Sequence, residues 1–166
     1  LMLSAATHAA DPLQEAMAEL QPSSLAVAAQ RAELAWFAEA GKPFAGTQVR
    51  VISERIPTHW YEANVLAPLF SRLTGIRVIH EVSGEDDVVN KLRTQQETGL
   101  PLYDAYVSDS DLIGQHFRDG QVLVLSDFMA GEGATVTSPT LDLADFIGLP
   151  FVTAPDNKLY LSLIHI

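Results

Sequence analysis

Apolar and polar positions change rhythm along the chain, and each change marks an element. From Asp11 to Leu20 and from Ser24 to Ala40 the sequence is rich in Ala, Leu, Glu and Gln, residues that lose little side-chain freedom in a helix. Pro22 separates the two stretches, which predicts two helices, the second capped by Ser23 or Ser24. Gly41-Lys42-Pro43 ends the pair. Residues 11–43 therefore read as a helical extension, with the main domain beginning near Phe44.

β-branched alternation then takes over. Residues 47–53 read as a strand ending in a polar loop, followed by a helix that carries Tyr61, Val65, Leu66, Leu69, Phe70 and Leu73 on one broad face. Thr74-Gly75 stops that helix. Residues 76–82 form a second strand, and residues 85–98 a second helix with Val88, Val89 and Leu92 inward. Gly99 and Pro101 close it, and residues 103–107 make a third strand leading into a helix over 109–117. Strands alternating with helices at this spacing predict βαβ crossovers, so the fold class is α/β with a parallel sheet and flanking helices. Beyond Gly120 the rhythm weakens. Residues 122–125 suit a short strand or a buried turn, and Ser138-Pro139-Thr140 suits a cap before a short helix at 141–147.

Composition narrows the partners. Ten basic against twenty-one acidic residues give a net charge of -11, with no Lys/Arg cluster, so the field of the chain repels phosphate backbones and anionic lipid. Nucleic acid is excluded as an expected partner. The chain has no cysteine, which removes disulfides, thiol catalysis, zinc–thiolate sites and a lipid-modified cysteine. No apolar run reaches the roughly 18 residues a membrane-spanning helix needs. At one end, apolar Leu1 to Ala6 and small Thr7-His8-Ala9-Ala10 read as the end of a secretory signal (residues 1–10), the alternative being the start of an Ala-rich helix. At the other, Leu161 to Ile166 resembles, when back-translated in one frame, a transposon end used in preparing sequencing libraries, so residues 161–166 are expected to be an artefact and 44–160 a truncated domain, unless they form a natural hydrophobic strand.

Candidate chemistry follows from topology. In open parallel sheets ligands collect beyond the carboxyl ends of the strands. Here that places Ser53, Glu54, Thr58, His59, Trp60 and Tyr61 after the first strand, Glu85 after the second, and Ser108, Asp109, Ser110 and Asp111 after the third. Short polar groups beside aromatic rings suit sugars and polyols, whose hydroxyls need hydrogen-bond partners and whose C–H faces pack on rings. Each piece also has a structural reading: Asp109 and Asp111 as helix caps, Glu85-Asp86-Asp87 as a solvated first turn, Trp60 as a core residue. His80 lies within a strand with no partner visible in the sequence. The nucleophile-elbow, zinc-protease and phosphate-loop motifs are absent. Asp109 and Asp111 could serve a metal-assisted hydrolase together with His59, but further oxygen ligands cannot be assigned.

At these residues the chain resembles a known family. Ile56-Pro57-Thr58-His59-Trp60-Tyr61-Glu62, then Leu69-Phe70 and Leu73-Thr74-Gly75-Ile76, resemble the opening of family 1 extracellular solute-binding proteins. Tyr103-Asp104-Ala105-Tyr106-Val107, followed by Asp109-Ser110-Asp111-Leu112-Ile113-Gly114, is the narrower part of the likeness. It is similar to a long subgroup of carbohydrate-importer receptors that includes proteins associated with glycerol and related polyols. The resemblance covers about Gln21 to Tyr160. It implies a periplasmic-binding-protein-like fold of two lobes, of which this chain carries most of the first. It also implies a non-catalytic, cofactor-free monomer in the periplasm, with a sugar or polyol and inner-membrane ABC permease subunits as partners. A fragment lacking the second lobe, and with it half the site, would have no function of its own.

Overall fold

The computed structural model describes residues 11–107, 113–120, 122–146 and 148–160. Helix α1 (Pro12–Glu19) is capped by Asp11, whose carboxylate accepts from the Leu13 N–H at 3.1 Å. Helix α2 (Val27–Gly41) starts later than the sequence suggests. Its cap is Ala26, which has no side-chain acceptor, and Ser23 Oγ instead accepts from the Leu25 N–H in the preceding turn. Both helices pack on the main domain. Ala16 and Leu34 are buried with Leu69, and Leu13, Met17, Leu20 and Leu73 close around them.

Three parallel strands, β1 (Gln48–Glu54), β2 (Arg77–Ser83) and β3 (Ala105–Tyr106), form a sheet in the order β2-β1-β3. Val51 stands opposite His80 and Ala105, and Glu54 opposite Ser83. The period of two splits β1 between faces. Ile52 is fully buried against Val88 and Leu92 of α5 (Glu85–Thr98), with Tyr103 and Tyr106 beside it. Ser53 points to the other face. β3 pairs over fewer residues than its apolar pattern suggests, because Asp104 Oδ2 takes the Arg50 N–H at 2.8 Å in place of a ladder carbonyl.

Between β1 and β2 runs a helical rod in three pieces: α3 (Pro57–Tyr61), a π turn (Glu62–Leu66) and α4 (Ala67–Thr74). The single regular stripe expected from the sequence is broken here. Leu69 is buried, but Tyr61 and Leu66, placed on the same face by that pattern, are exposed. The rod itself is interrupted at Pro68, which has no N–H and whose ring crowds the carbonyl one turn earlier. The Ala67 N–H donates to the carbonyl of Glu62, five residues back, which inserts one extra residue into the turn. Gly75 and Gly99 then end α4 and α5 in the left-handed region, φ 75° and 69°, as the sequence predicts.

The C-terminal third is mostly turns. α6 (Ile113–Asp119) follows β3, and α7 (Leu125–Ala130) starts where a short strand or buried turn was expected over 122–125. The Leu125 N–H is held by the Leu159 carbonyl at 2.8 Å, and Lys158 Nζ reaches Asp127 at 2.6 Å. In place of a helix at 141–147 there is a 3-10 turn, Leu143–Asp145, capped by Asp142. Ser138 Oγ accepts from the Thr140 N–H in a turn of its own rather than capping a helix. No described helix is long and apolar enough to cross a membrane.

Candidate ligand-binding site

Parallel pairing brings the carboxyl ends of all three strands to one end of the sheet. Glu54 and Ser83 are register partners there, and the Val107 N–H donates to the Ile52 carbonyl at 2.9 Å. The loops that leave these ends carry the residues expected in the site. Ser108, Asp109, Ser110 and Asp111 lie outside the described residues. The others divide into an exposed group and a buried group.

Trp60 and Tyr61 are exposed, 48% and 47%, beside exposed Thr58. Glu54 is half-buried at the mouth of β1. Glu85 is exposed in the first turn of α5, an acidic turn that complements the positive end of the helix. Two large aromatic rings held in solvent are a costly arrangement unless something packs on them.

Ser53 and His59 make up the buried group. Both are buried, at 0% and 1% exposure. His59 Nδ1 lies 2.9 Å from the Glu54 carbonyl, and a carbonyl can only accept, so Nδ1 carries the proton and donates. This bond ties the first turn of α3 back to β1. Its other nitrogen, Nε2, is buried without a hydrogen-bond partner among the described residues. Ser53 Oγ lies 2.7 Å from Nε2 of His80. Val51 pairs with His80, so Ser53 and His80 share a face and meet on the diagonal. That partner of His80 was not visible in the sequence, although the period of two in both strands would have placed the residues on the same face.

Two further clusters steady the frame. Lys91 Nζ binds Glu81 at 2.6 Å and Asp87 at 2.9 Å, Tyr103 Oη donates to Glu81 at 2.7 Å, and Ser83 Oγ donates to Asp87. The Lys91 ammonium and the Tyr103 hydroxyl hold the Glu81 carboxyl below its ordinary range; the Ser83 hydroxyl and Lys91 do the same for Asp87. Behind β3, Tyr106 Oη sits 3.1 Å from Nε2 of His116, and burial pushes that phenol up to about 12. Among the described residues no group of three or more His, Asp or Glu side chains is placed to hold a metal ion.

The histidines set a pH dependence. Burial lowers the affinity of His80 and His116 for a proton, the charge of neighbouring His59 lowers it further for His80, and Asp119 partly opposes the shift at His116. Both therefore prefer the neutral ring when folded, while in the unfolded chain each titrates near the ordinary 6.5. The unfolded state then binds more protons below that value, so stability present above about pH 6.5 is lost as pH falls through the lowered values. Urea midpoints are expected to drop between pH 7 and pH 5, and His80→Asn with His116→Gln should flatten that limb. The carboxylates Glu81 and Asp87 give a separate loss at lower pH. An unchanged slope in the double variant would assign the decline to other groups.

No protein-family model matches the chain, and no curated protein does. Among solved structures it is similar to the crystal structure of an ABC transporter solute-binding protein from Agrobacterium radiobacter K84 in complex with ribitol. The TM-score is 0.61 at 22% sequence identity, over 71% of this chain and 29% of that one. The fold is that of a periplasmic binding protein. The chain spans 29% of the length of that relative. In this periplasmic-binding-protein fold the three-stranded sheet and its carboxyl-end loops are the part that positions Trp60, Tyr61 and Glu54.

Proposed function

We propose that the chain carries the first lobe of the extracytoplasmic receptor of an ABC importer and binds a sugar or polyol, a glycerol-type polyol being the favoured class. The observation that carries this reading is the likeness, over 71% of the chain, to a solute-binding protein whose structure holds ribitol. Exposed Trp60 and Tyr61 beside Thr58 and Glu54 support it, because a polyol presents C–H edges to rings and hydroxyls to a carboxylate. In this reading a second lobe closes over the same loops, and the closed pair is what the permease recognises. Residues 11–43 are an extension on the first lobe, and Ser108, Asp109, Ser110 and Asp111 are proposed as further ligand contacts. The receptor works as a monomer in the periplasm, without cofactor or catalysis.

Ser53 and His80 have the spacing of a nucleophile and its base, but Ser53 is wholly buried, so its hydroxyl cannot meet a substrate as it stands. Their bond serves the sheet.

A ligand that binds only the native state raises the melting temperature by mass action, about 2.7 kcal/mol of stabilisation at one hundred times its Kd. The test is a thermal-shift series with ribitol, glycerol, other polyols, common sugars and glycerol phosphates, with and without divalent metal. A metal-independent rise with a polyol or sugar is expected, and Trp60→Ala should weaken that ligand about tenfold, the ratio that 1.4 kcal/mol commands. A shift that needs metal, or none with any compound, would overturn the receptor reading and turn attention to Asp109 and Asp111 as hydrolase groups.

A further inference from the structure

We propose that the π turn at Glu62–Leu66 is a positioning device for the Trp60–Tyr61 pair, and that Pro68 and Asn64 are its positioning residues. The inference rests on the polyol-receptor reading only for what the pair touches.

The helical rod is fixed at both ends, so its internal register decides where the aromatic residues point. At the β1 end the buried ring of His59 donates to the Glu54 carbonyl, and the Trp60 N–H donates to the Ile56 carbonyl at 3.1 Å. At the β2 end Thr74 Oγ1 accepts from the Ile76 N–H at 3.1 Å and Ser71 Oγ accepts from the Val78 N–H at 3.0 Å. Leu69 is locked into the core with Ala16 and Leu34. With α4 held in this way, adding one residue to the turn rotates everything before it by about 100°, one residue's share of a 3.6-residue turn.

Measured from Leu69 at 100° per residue, a regular helix would set Trp60 about 180° away and Tyr61 about 80° away; the extra residue brings them to about 80° and about 20°, so the turn decides which way both exposed rings stand. Two residues maintain the register. Pro68 has no N–H to return the segment to a regular α-helix. The side-chain amide of Asn64 donates to the Trp60 carbonyl at 2.8 Å, which clips the turn directly to the residue it aims. π turns inside α-helices recur at functional sites for this reason: they re-aim side chains at the cost of a poorer helix.

The chain has two tryptophans, so a Trp36→Phe background leaves Trp60 as the sole reporter. In that background Pro68→Ala and Asn64→Ala should shift Trp60 emission and change its acrylamide quenching constant about twofold, with far-UV circular dichroism retained. Asn64→Ser should restore the original signal, since a serine hydroxyl also donates to the carbonyl four residues back. Where ribitol binds the parent, the two alanine variants should bind it about tenfold more weakly, and Asn64→Ser near normally. Unchanged quenching in both alanine variants would overturn the proposal, as would altered quenching with unaltered ribitol affinity. If Pro68→Ala fails to fold, the Asn64→Ala and Asn64→Ser pair decides alone. If the parent does not bind ribitol, the polyol reading loses support, while the quenching data still judge the turn.

Discussion

Replacing Ile52 with alanine is expected to cost about 2–5 kcal/mol of stability, the range for truncating a large buried aliphatic residue in a core that relaxes incompletely. Ile52 is fully buried in the middle strand and touches Val88 and Leu92 of α5, with Tyr103 and Tyr106 alongside. Few residues can refill the space, because Ile52 is packed between α5 and the aromatic residues around β3. The loss should appear as a lower urea midpoint at pH 7 with an unchanged m-value, the signature of altered stability rather than an altered unfolded state. Ile52→Val, which removes one methylene, should cost about 0.5–1.5 kcal/mol. A loss below about 1 kcal/mol for the alanine variant would mean that α5 is not docked on β1 as described.

The second large effect is expected at Gly41, the last residue of α2. A Cβ placed there would stand 2.5 Å from Thr74 Cβ, 2.9 Å from its Cγ2 and 3.0 Å from its Cα, so backbone as well as side chain must give way. Gly41→Ala should destabilise the protein by about 1–3 kcal/mol, the usual cost of overpacking. It should also pry α2 from α4. Limited proteolysis gives the sharper test, because cleavage between Asp11 and Ala40 should accelerate while residues 48–98 stay protected. Parent-like melting and cleavage would show that α2 yields there without cost. The ion pair between Arg72 and Glu19, 2.5 Å apart at a half-exposed surface, is too well solvated to hold the extension by itself.

What could be read in advance, and what could not, follows from the kind of signal each residue sends. β1, β2 and α5 were legible because β2 alternates in burial, β1 does so from Gln48 to Val51, and α5 buries Val88 and Leu92 one turn apart, while Gly75 and Gly99 stop α4 and α5 where expected. The helix after β1 was legible as a helix but not as a broken one. A proline at position 68 reads as a tolerated first-turn residue or as a kink, and only the packing of both ends determines that a π turn absorbs it. The cap of α2 was misread because Ser23 and Ser24 have the right chemistry two or three residues too early; the chain spends Ser23 on its own turn before the helix begins. Residues 122–125 and 141–147 lacked periodicity: the start of α7 is set by a distant partner, the Leu159 carbonyl, and the described part of the second stretch by a local 3-10 turn capped by Asp142. In the candidate site, Trp60 and Tyr61 were identified by residue type and loop position. The separation of exposed rings from the buried Ser53 and His59 required three dimensions, as did the meeting of Ser53 with His80.

The uneven sheet also implies an order of assembly. β1 and β2 are paired along all seven residues across one intervening helical rod, whereas β3 contributes two residues from much farther along the chain. Closing a longer loop adds little, about 0.6 kcal/mol for each doubling of length, so the difference lies in what each closure gains. Seven ladder positions and a docked helix reward the first; two positions reward the second. As the chain emerges from the ribosome, the parallel unit of β1, the helical rod and β2 can therefore stand before Tyr103 and Tyr106 arrive. The aromatic end of the rod belongs to that early piece, and the face of Ile52 must wait, partly uncovered, for the strand that finishes it.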